Sequence, residues 1–166
     1  MLPKRFTDVE HLEDVMTTPS AALVATLRDL PGDILVLGVG GKMGPTLARL
    51  AKRAASHKRV IGVARFSEPG LQARLQGQGV ECIAADLLSR DALTALPDVP
   101  NVVFMAGRKF GSSGSEWLTW AMNAHVPALV AERYAAGRVF MAGDAVHLFT
   151  PAGGLGYNTG GEDAVN

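Results

Sequence analysis

A chain of 166 residues, 48% of them apolar, can bury one substantial core, and a single domain is expected. Sixteen basic residues balance sixteen acidic ones, and no basic run stands out, which argues against a nucleic-acid partner. The lone cysteine, Cys82, excludes an internal disulfide. Met1 to Glu13 carries charges without an apolar signal core, and no apolar run approaches the ~18 residues of a membrane span, so no membrane partner and a cytoplasmic location are expected.

In chain order, Thr7-Asp8-Val9-Glu10 has the form of a capping box and predicts a helix to about Met16. Thr18-Pro19-Ser20 restarts the chain into a second helix, Ala21 to Leu30, which Pro31-Gly32 ends. Residues 1–32 are expected to form a helical extension packed on the outside of a sheet, with no chemistry of their own. From Asp33, strand and helix alternate. Strands are expected at Ile34 to Leu37, Arg59 to Ala64, Val80 to Ala84, Asn101 to Ala106 and Arg138 to Ala142. The intervening helices run from Met43 to Ser56, from a Ser67 N-cap with Pro69 in its first turn to near Gly77 or Gly79, and from a Ser89 cap to Leu96. After a loop at Gly107 to Ser115, a longer helix spans Glu116 to about Tyr134, bent at Pro127. Cys82 reads as a buried, inert thiol, Met141 as strand core, and Trp117 and Trp120 as core or helix-contact residues. His11, His57, His125 and His147 lack ligand spacing, so no metal site is expected. Nearly continuous apolar strands alternating with amphipathic helices imply an α/β fold, a parallel sheet of about five strands with helices on both faces.

The sharpest motif is Gly38-Val39-Gly40-Gly41-Lys42-Met43-Gly44, placed between an apolar strand and a helix. That order suits a dinucleotide phosphate. Gly38 turns the chain off the strand, Gly41 allows a pyrophosphate to approach the backbone, and Gly44 lets the helix pack on the strand. The alternative is an ordinary strand-to-helix turn. Cofactor contacts are therefore expected from Gly38, Gly40, Gly41, Lys42, Met43 and Gly44, with the free N–H groups of the helix facing the anion.

Other candidates lie at strand ends, where such sheets bind ligands. The second strand ends in Ala64-Arg65 rather than in an acid, which favours the 2′-phosphate of NADP over NAD; the alternative is a solvated arginine. Asp86 and Leu87 follow the third strand, where a carboxylate can meet the adenine amino group and leucine the ring, or where Asp86 serves only the turn. Ala106 and Gly107 leave room for the middle of a cofactor. Arg108 and Lys109 can meet phosphates or stay solvated.

Residues 33–134 resemble the first half of an extended short-chain dehydrogenase/reductase, of the NAD-dependent epimerase/dehydratase family. The carriers are Gly38-x-x-Gly41-x-x-Gly44, Asp86-Leu87, Val103-Phe104-Met105-Ala106-Gly107, and Asn123 in the following helix. The resemblance implies a Rossmann-like domain over residues 33–142 that binds NAD or NADP through these residues, Asn123 included. The Tyr-x-x-x-Lys pair on which that family's proton transfer rests is missing: Tyr134 is followed four residues on by Arg138, and Tyr157 by Gly161.

The tail, Gly137 to Asn166, resembles the second flavin motif of the FAD-dependent aromatic-ring hydroxylases: Gly-Asp after a strand, then His, Pro, a glycine run and Asn-Thr-Gly. That resemblance implies Gly143 and Asp144 on the ribityl chain. It places Pro151, Gly153, Gly154, Leu155 and Gly156 beside the isoalloxazine, and Asn158 near its pyrimidine edge, with helix N–H groups facing a carbonyl that gains charge. Those hydroxylases insert far more chain between the two motifs than the three strand–helix passages found here between Gly44 and Gly143. The chain thus reads as composite, joined near Gly137, and residues 143–166 as a glycine-rich tail expected to be mobile. The first expectation is an NAD(P)-binding module without its own catalytic residues, a homo-oligomer being compatible with it. The alternatives are a shortened FAD-binding monooxygenase-like flavoprotein and a nonenzymatic remnant or interaction module.

Overall fold

The computed structural model describes residues 3–108, 114–134 and 138–141. Two helices come first. Helix α1 (Val9–Met16) is capped by Asp8, whose carboxylate accepts from His11 N–H at 2.7 Å, while the Thr7 hydroxyl bonds to that carboxylate at 3.1 Å. The helix therefore starts one residue later than a Thr7 cap would start it. The backbone N–H of His11 holds the Asp8 carboxyl below its ordinary pKa. Helix α2 (Ala21–Asp29) is capped by Ser20, which accepts from Leu23 N–H at 3.1 Å.

Strand and helix then alternate as β1 (Ile34–Leu37), α3 (Gly44–Ala54), β2 (Val60–Ala64), α4 (Leu71–Gly77), β3 (Glu81–Ala84), α5 (Arg90–Thr94) and β4 (Asn101–Phe104). After them come α6 (Glu116–Trp120), a π-helical turn (Ala121–His125), α7 (Val126–Arg133) and β5 (Arg138–Met141). The five strands form one sheet in the order β3-β2-β1-β4-β5, and every neighbouring pair is parallel.

Alternation along each strand sorts the core into two layers. Leu35, Leu37, Ile61, Val63, Val102 and Phe104 pack with Leu93 of α5 and Val126, Leu129 and Val130 of α7. Ile34, Val36 and Val60 pack with Ala48 of α3 and Leu71 and Leu75 of α4. Each such side chain, fully buried, contributes about 1.5–3 kcal/mol. Both faces of the sheet are covered, and the expected α/β class holds.

The first two helices are tied to this body by polar contacts. Arg49 of α3 pairs with Asp14 and lies 3.7 Å from Glu13, and Arg53 donates to the Thr17 hydroxyl at 2.8 Å. The buried Lys58 ammonium donates to the carbonyls of Leu30 (2.5 Å) and Gly32 (3.0 Å), and the Asn101 amide to those of Pro31 (2.8 Å) and Asp33 (3.0 Å).

Several local expectations are corrected. Helix α4 begins at Leu71 behind Gly70, whose φ of 79° reverses the chain, so Ser67 is not its cap. The bend at Pro127 is a change of helix type. Proline supplies no N–H and crowds the carbonyl four residues back, and the preceding turn widens so that Val126 N–H reaches Ala121 O, five residues back. Trp117 and Trp120 are 70% and 63% exposed and belong to neither core layer. Cys82 is only half-buried, although burial does push its thiol pKa up. Ala142, expected in the fifth strand, and the tail beyond it fall outside the described residues.

Candidate functional site: a cleft at the carboxyl edge of the sheet

Strand β1 sits in the middle of the sheet, with β2 on one side and β4 on the other, so the chain order reverses between β1 and β4. Crevices open at the carboxyl ends of strands at such a point. Here the crevice is a cleft of about 230 Å³ that draws on both core layers.

The glycine loop forms its floor. Gly38 has φ 87°, and a Cβ on it would stand 2.5 Å from Ala106 N, so the loop and the β4 exit touch backbone to backbone. Gly38 and Val39 N–H both donate to Val63 O (2.9 and 3.1 Å), locking the turn onto β2. Gly44 lies under the loop, where a Cβ would overlap the Val39 carbonyl. Gly41 is different: its nearest neighbour would be Gly38 O at 3.4 Å, an ordinary contact, and it faces the cleft. No side chain caps α3, and the N–H groups of Gly40, Lys42 and Met43 have no backbone acceptor among the described residues. An uncapped helix start beside unpaired loop amides is an electropositive cradle for an anion.

The remaining lining comes from strand exits. Ala64, Arg65, Phe66, Ser67 and Glu68 follow β2; Ala85, Asp86 and Leu87 follow β3; Met105, Ala106 and Gly107 follow β4. Leu71 and Met122 complete the walls. Arg65 is exposed at the rim, and the nearest cation to Glu68 is Arg74, at 3.9 Å. Asp86 has both of its expected attributes: it lines the cleft, and its Oδ1 accepts from Leu88 N–H at 3.0 Å within the turn.

Of the expected residues, Gly38, Gly40, Gly41, Arg65, Asp86, Leu87, Ala106 and Gly107 come together in this cleft. Lys42 and Met43 stand exposed on the loop, and Gly44 is buried behind it. Asn123 has another task. Its Oδ1 accepts from Arg108 N–H at 2.7 Å and its Nδ2 donates to Arg108 O at 2.8 Å, a two-point clamp on the backbone after β4. Gly143, Asp144, Pro151, Gly154, Gly156 and Asn158 lie outside the described residues, as does Lys109. Phe66, Leu71 and Met122 were not singled out from the sequence, and Ser67 and Met105 were named only as a helix cap and as part of the Val103 to Gly107 run. Phe66 and Met122 carry no motif.

Among the described residues no tyrosine lines the cleft. Tyr134 is buried in the α5–α7 layer, its hydroxyl donates to Pro97 O at 3.3 Å, and burial raises its pKa. Among the described residues there is no cluster of three or more His, Cys, Asp or Glu that could hold a metal, and no helix long and apolar enough to cross a membrane. The donor set fits the ADP half of a dinucleotide: amides for phosphate, small residues for close approach, and apolar walls for a base.

Comparison with known proteins divides along the chain. A family model described as an FAD binding domain matches residues 111–166. That match starts well upstream of Gly137, so the flavin-type likeness takes in α6, α7 and β5 as well as the tail. The 12-dehydrotetracycline 5-monooxygenase/anhydrotetracycline 6-monooxygenase of Streptomyces rimosus is 42% identical over 82 residues, 49% of this chain and 14% of that protein. A rifampicin monooxygenase of Streptomyces venezuelae is 46% identical over 61 residues, 37% of this chain and 12% of that one. The chain thus spans about one-seventh or less of the length of these relatives. In three dimensions it is similar to a serine dehydrogenase from Escherichia coli, with a TM-score of 0.56 at 18% identity over 80% of this chain and 70% of that one. The fold is of the Rossmann type.

Proposed function

We propose that this chain is a dinucleotide-binding Rossmann module, that the cleft receives the ADP half of the cofactor, and that the cofactor is FAD. The observation that carries the binding reading is the uncapped start of α3 beside the unpaired amides of Gly40, Lys42 and Met43. The choice of FAD over NAD(P), which reverses the first expectation from the sequence, is supported by the flavin-domain match over residues 111–166. Strand geometry is compatible with it. Leu37, Phe104 and Met141 are in register, so β5 ends level with the glycine loop two strands away, roughly 10 Å across the edge. Met141, the last described residue before the flavin-like tail, thus stands at the edge that holds the phosphate cradle.

In this reading the amides of Gly40, Lys42 and Met43 hold the pyrophosphate. Asp86 and Leu87 meet the adenine, and Gly143, Asp144, Pro151, Gly154, Gly156 and Asn158 approach the flavin half. Flavin, when bound, supplies electron-transfer and oxygen chemistry. The chain's own residues bind and orient it, and a monooxygenase reaction of the kind named for the relatives lies outside what these residues provide alone. NADP is the second reading, favoured by one feature: β2 ends in Ala64-Arg65, with a cation rather than an acid directly after the strand and Glu68 three residues further along the same wall.

Equilibrium titration of the purified chain with FAD, NADP+ and ADP tests both. FAD is expected to bind more tightly than ADP, and ADP to compete with it. Gly41→Asp, which sets a carboxylate against the phosphates, is expected to abolish all binding. If FAD binds no better than ADP while NADP+ does, and Arg65→Ala removes that advantage, the NADP reading replaces the flavin one. If none binds, the cleft is not a nucleotide site.

A further inference from the structure

Resting on the reading of the cleft as an adenosine-dinucleotide site, we propose that Phe66 is its adenosine-positioning residue. Phe66 has φ 49° and is the one non-glycine residue with a positive φ among those described. A bulky aromatic side chain is a poor occupant of that backbone region, so something must hold it there. The holding force is on its ring, which is half-buried against the layer that includes Val36, Leu71 and Leu75. Phe66 also lines the cleft, so the residue belongs to core and site at once.

The consequence is a sharp turn at the end of β2. Strand β2 is fixed on its β3 side, where Ala64 is in register with Ala84 and its carbonyl accepts from Ala85 N–H at 3.0 Å. Two residues later the left-handed Phe66 reverses the chain, and all of Ala64 to Glu68 comes to line one wall. Gly40 is packed close beneath, since a Cβ there would be 3.1 Å from Ala64 Cβ and 3.7 Å from Leu71 Cδ2. Leu87 and Met122 belong to the layer on the opposite sheet face. A flat base entering the cleft therefore meets an apolar wall from each layer, and Phe66 sets the position of the β2 wall. The glycine loop that cradles phosphate springs from β1 and α3 and is hydrogen-bonded to β2 at Val63 O, three residues before the turn at Phe66.

That offset makes the role testable. Calorimetric affinities for ADP and for inorganic pyrophosphate are compared in the wild type, Phe66→Gly and Phe66→Leu. Phe66→Gly accepts the left-handed backbone but loses the ring that holds the wall in place. It is expected to weaken ADP by about tenfold while leaving pyrophosphate within about twofold, and Phe66→Leu is expected to recover most of the ADP loss. Should the glycine variant not fold, Phe66→Asn, also tolerant of that backbone, carries the same expectation. Unchanged ADP affinity in the glycine variant would overturn the proposal. So would a parallel loss of ADP and pyrophosphate, which marks general damage. A wild type that binds pyrophosphate but gains nothing from adenosine overturns it too, and a wild type that binds neither sinks the dinucleotide reading itself.

Discussion

Gly38, Gly41 and Gly44 share one motif and do different work. Replacing Gly38 by alanine forces a side chain into φ 87° and against the Ala106 backbone, and a Cβ at Gly44 overlaps the Val39 carbonyl. Each change is expected to cost about 2–4 kcal/mol, read as a lower midpoint in urea. Gly41→Ala meets only ordinary contacts and lies outside the left-handed region, so its stability should hold within about 0.5 kcal/mol or rise slightly, because the unfolded chain loses freedom. Its ligand affinity should nevertheless fall, since the new methyl faces the cleft. The Gly-x-x-Gly-x-x-Gly spacing made this division of roles legible in the sequence, while the contacts with Ala106 and Val39 that make Gly38 and Gly44 obligatory are not encoded in the spacing. Tyr134 offers a test of burial at the same scale. Its folded pKa is raised above the ordinary value near 10, chiefly by desolvation. The unfolded chain therefore loses this proton first, so the stabilisation is complete below about pH 10 and is lost as pH rises through the folded pKa. Chemical denaturation across that range should show a steeper alkaline loss for the wild type than for Tyr134→Phe.

Strands β1 to β5 and the starts of most helices could be read from the sequence because apolar runs and side-chain caps are local signals. Ser89 caps as expected, accepting from Ala92 N–H at 3.2 Å, and the restart expected at Thr18-Pro19-Ser20 is made by Ser20 as the cap. Helix α4 could not be placed this way, since its start is set by the left-handed Gly70 and by Leu71 reaching the core rather than by the hydroxyl of Ser67. The α6–α7 segment is a related case. Pro127 announced a bend, but the π turn at Ala121–His125 depends on what the widened turn does with Asn123. That turn places the amide where it satisfies both backbone groups of Arg108. Asn123→Ala would leave those groups without this partner and is expected to cost about 1–3 kcal/mol. Faster amide exchange at residues 106–108 and weaker ADP binding should accompany it. Asn123→Asp keeps the acceptor for Arg108 N–H but sets a carboxylate oxygen against Arg108 O, so it should cost at least as much as the alanine variant.

At the scale of the whole molecule, strand–helix alternation was enough to expect a parallel sheet covered on both faces. It could not assign the order β3-β2-β1-β4-β5, which brings the exits of β1, β2, β3 and β4 to one cleft. The sequence reading set the join of its two resemblances near Gly137, whereas the flavin-domain match reaches back to residue 111, into the helical segment whose α7 packs on β4. The cleft is built from loops over a rigid sheet, so its local stability should be low and ligand should restore it. A ligand present at a hundred times its Kd adds about 2.7 kcal/mol, which for a domain of this size raises Tm by roughly 5–10 °C. ADP should slow amide exchange at residues 38–44, 65–68 and 86–87, where the cleft is lined, and leave α1 and α2 unchanged, since neither helix lines it. FAD should give the same protection and extend it to residues 143–158, the segment whose sequence matches the flavin domain. Equal protection maps for ADP and FAD would show that the flavin half makes no contact of its own, and would confine this chain's role to the ADP half.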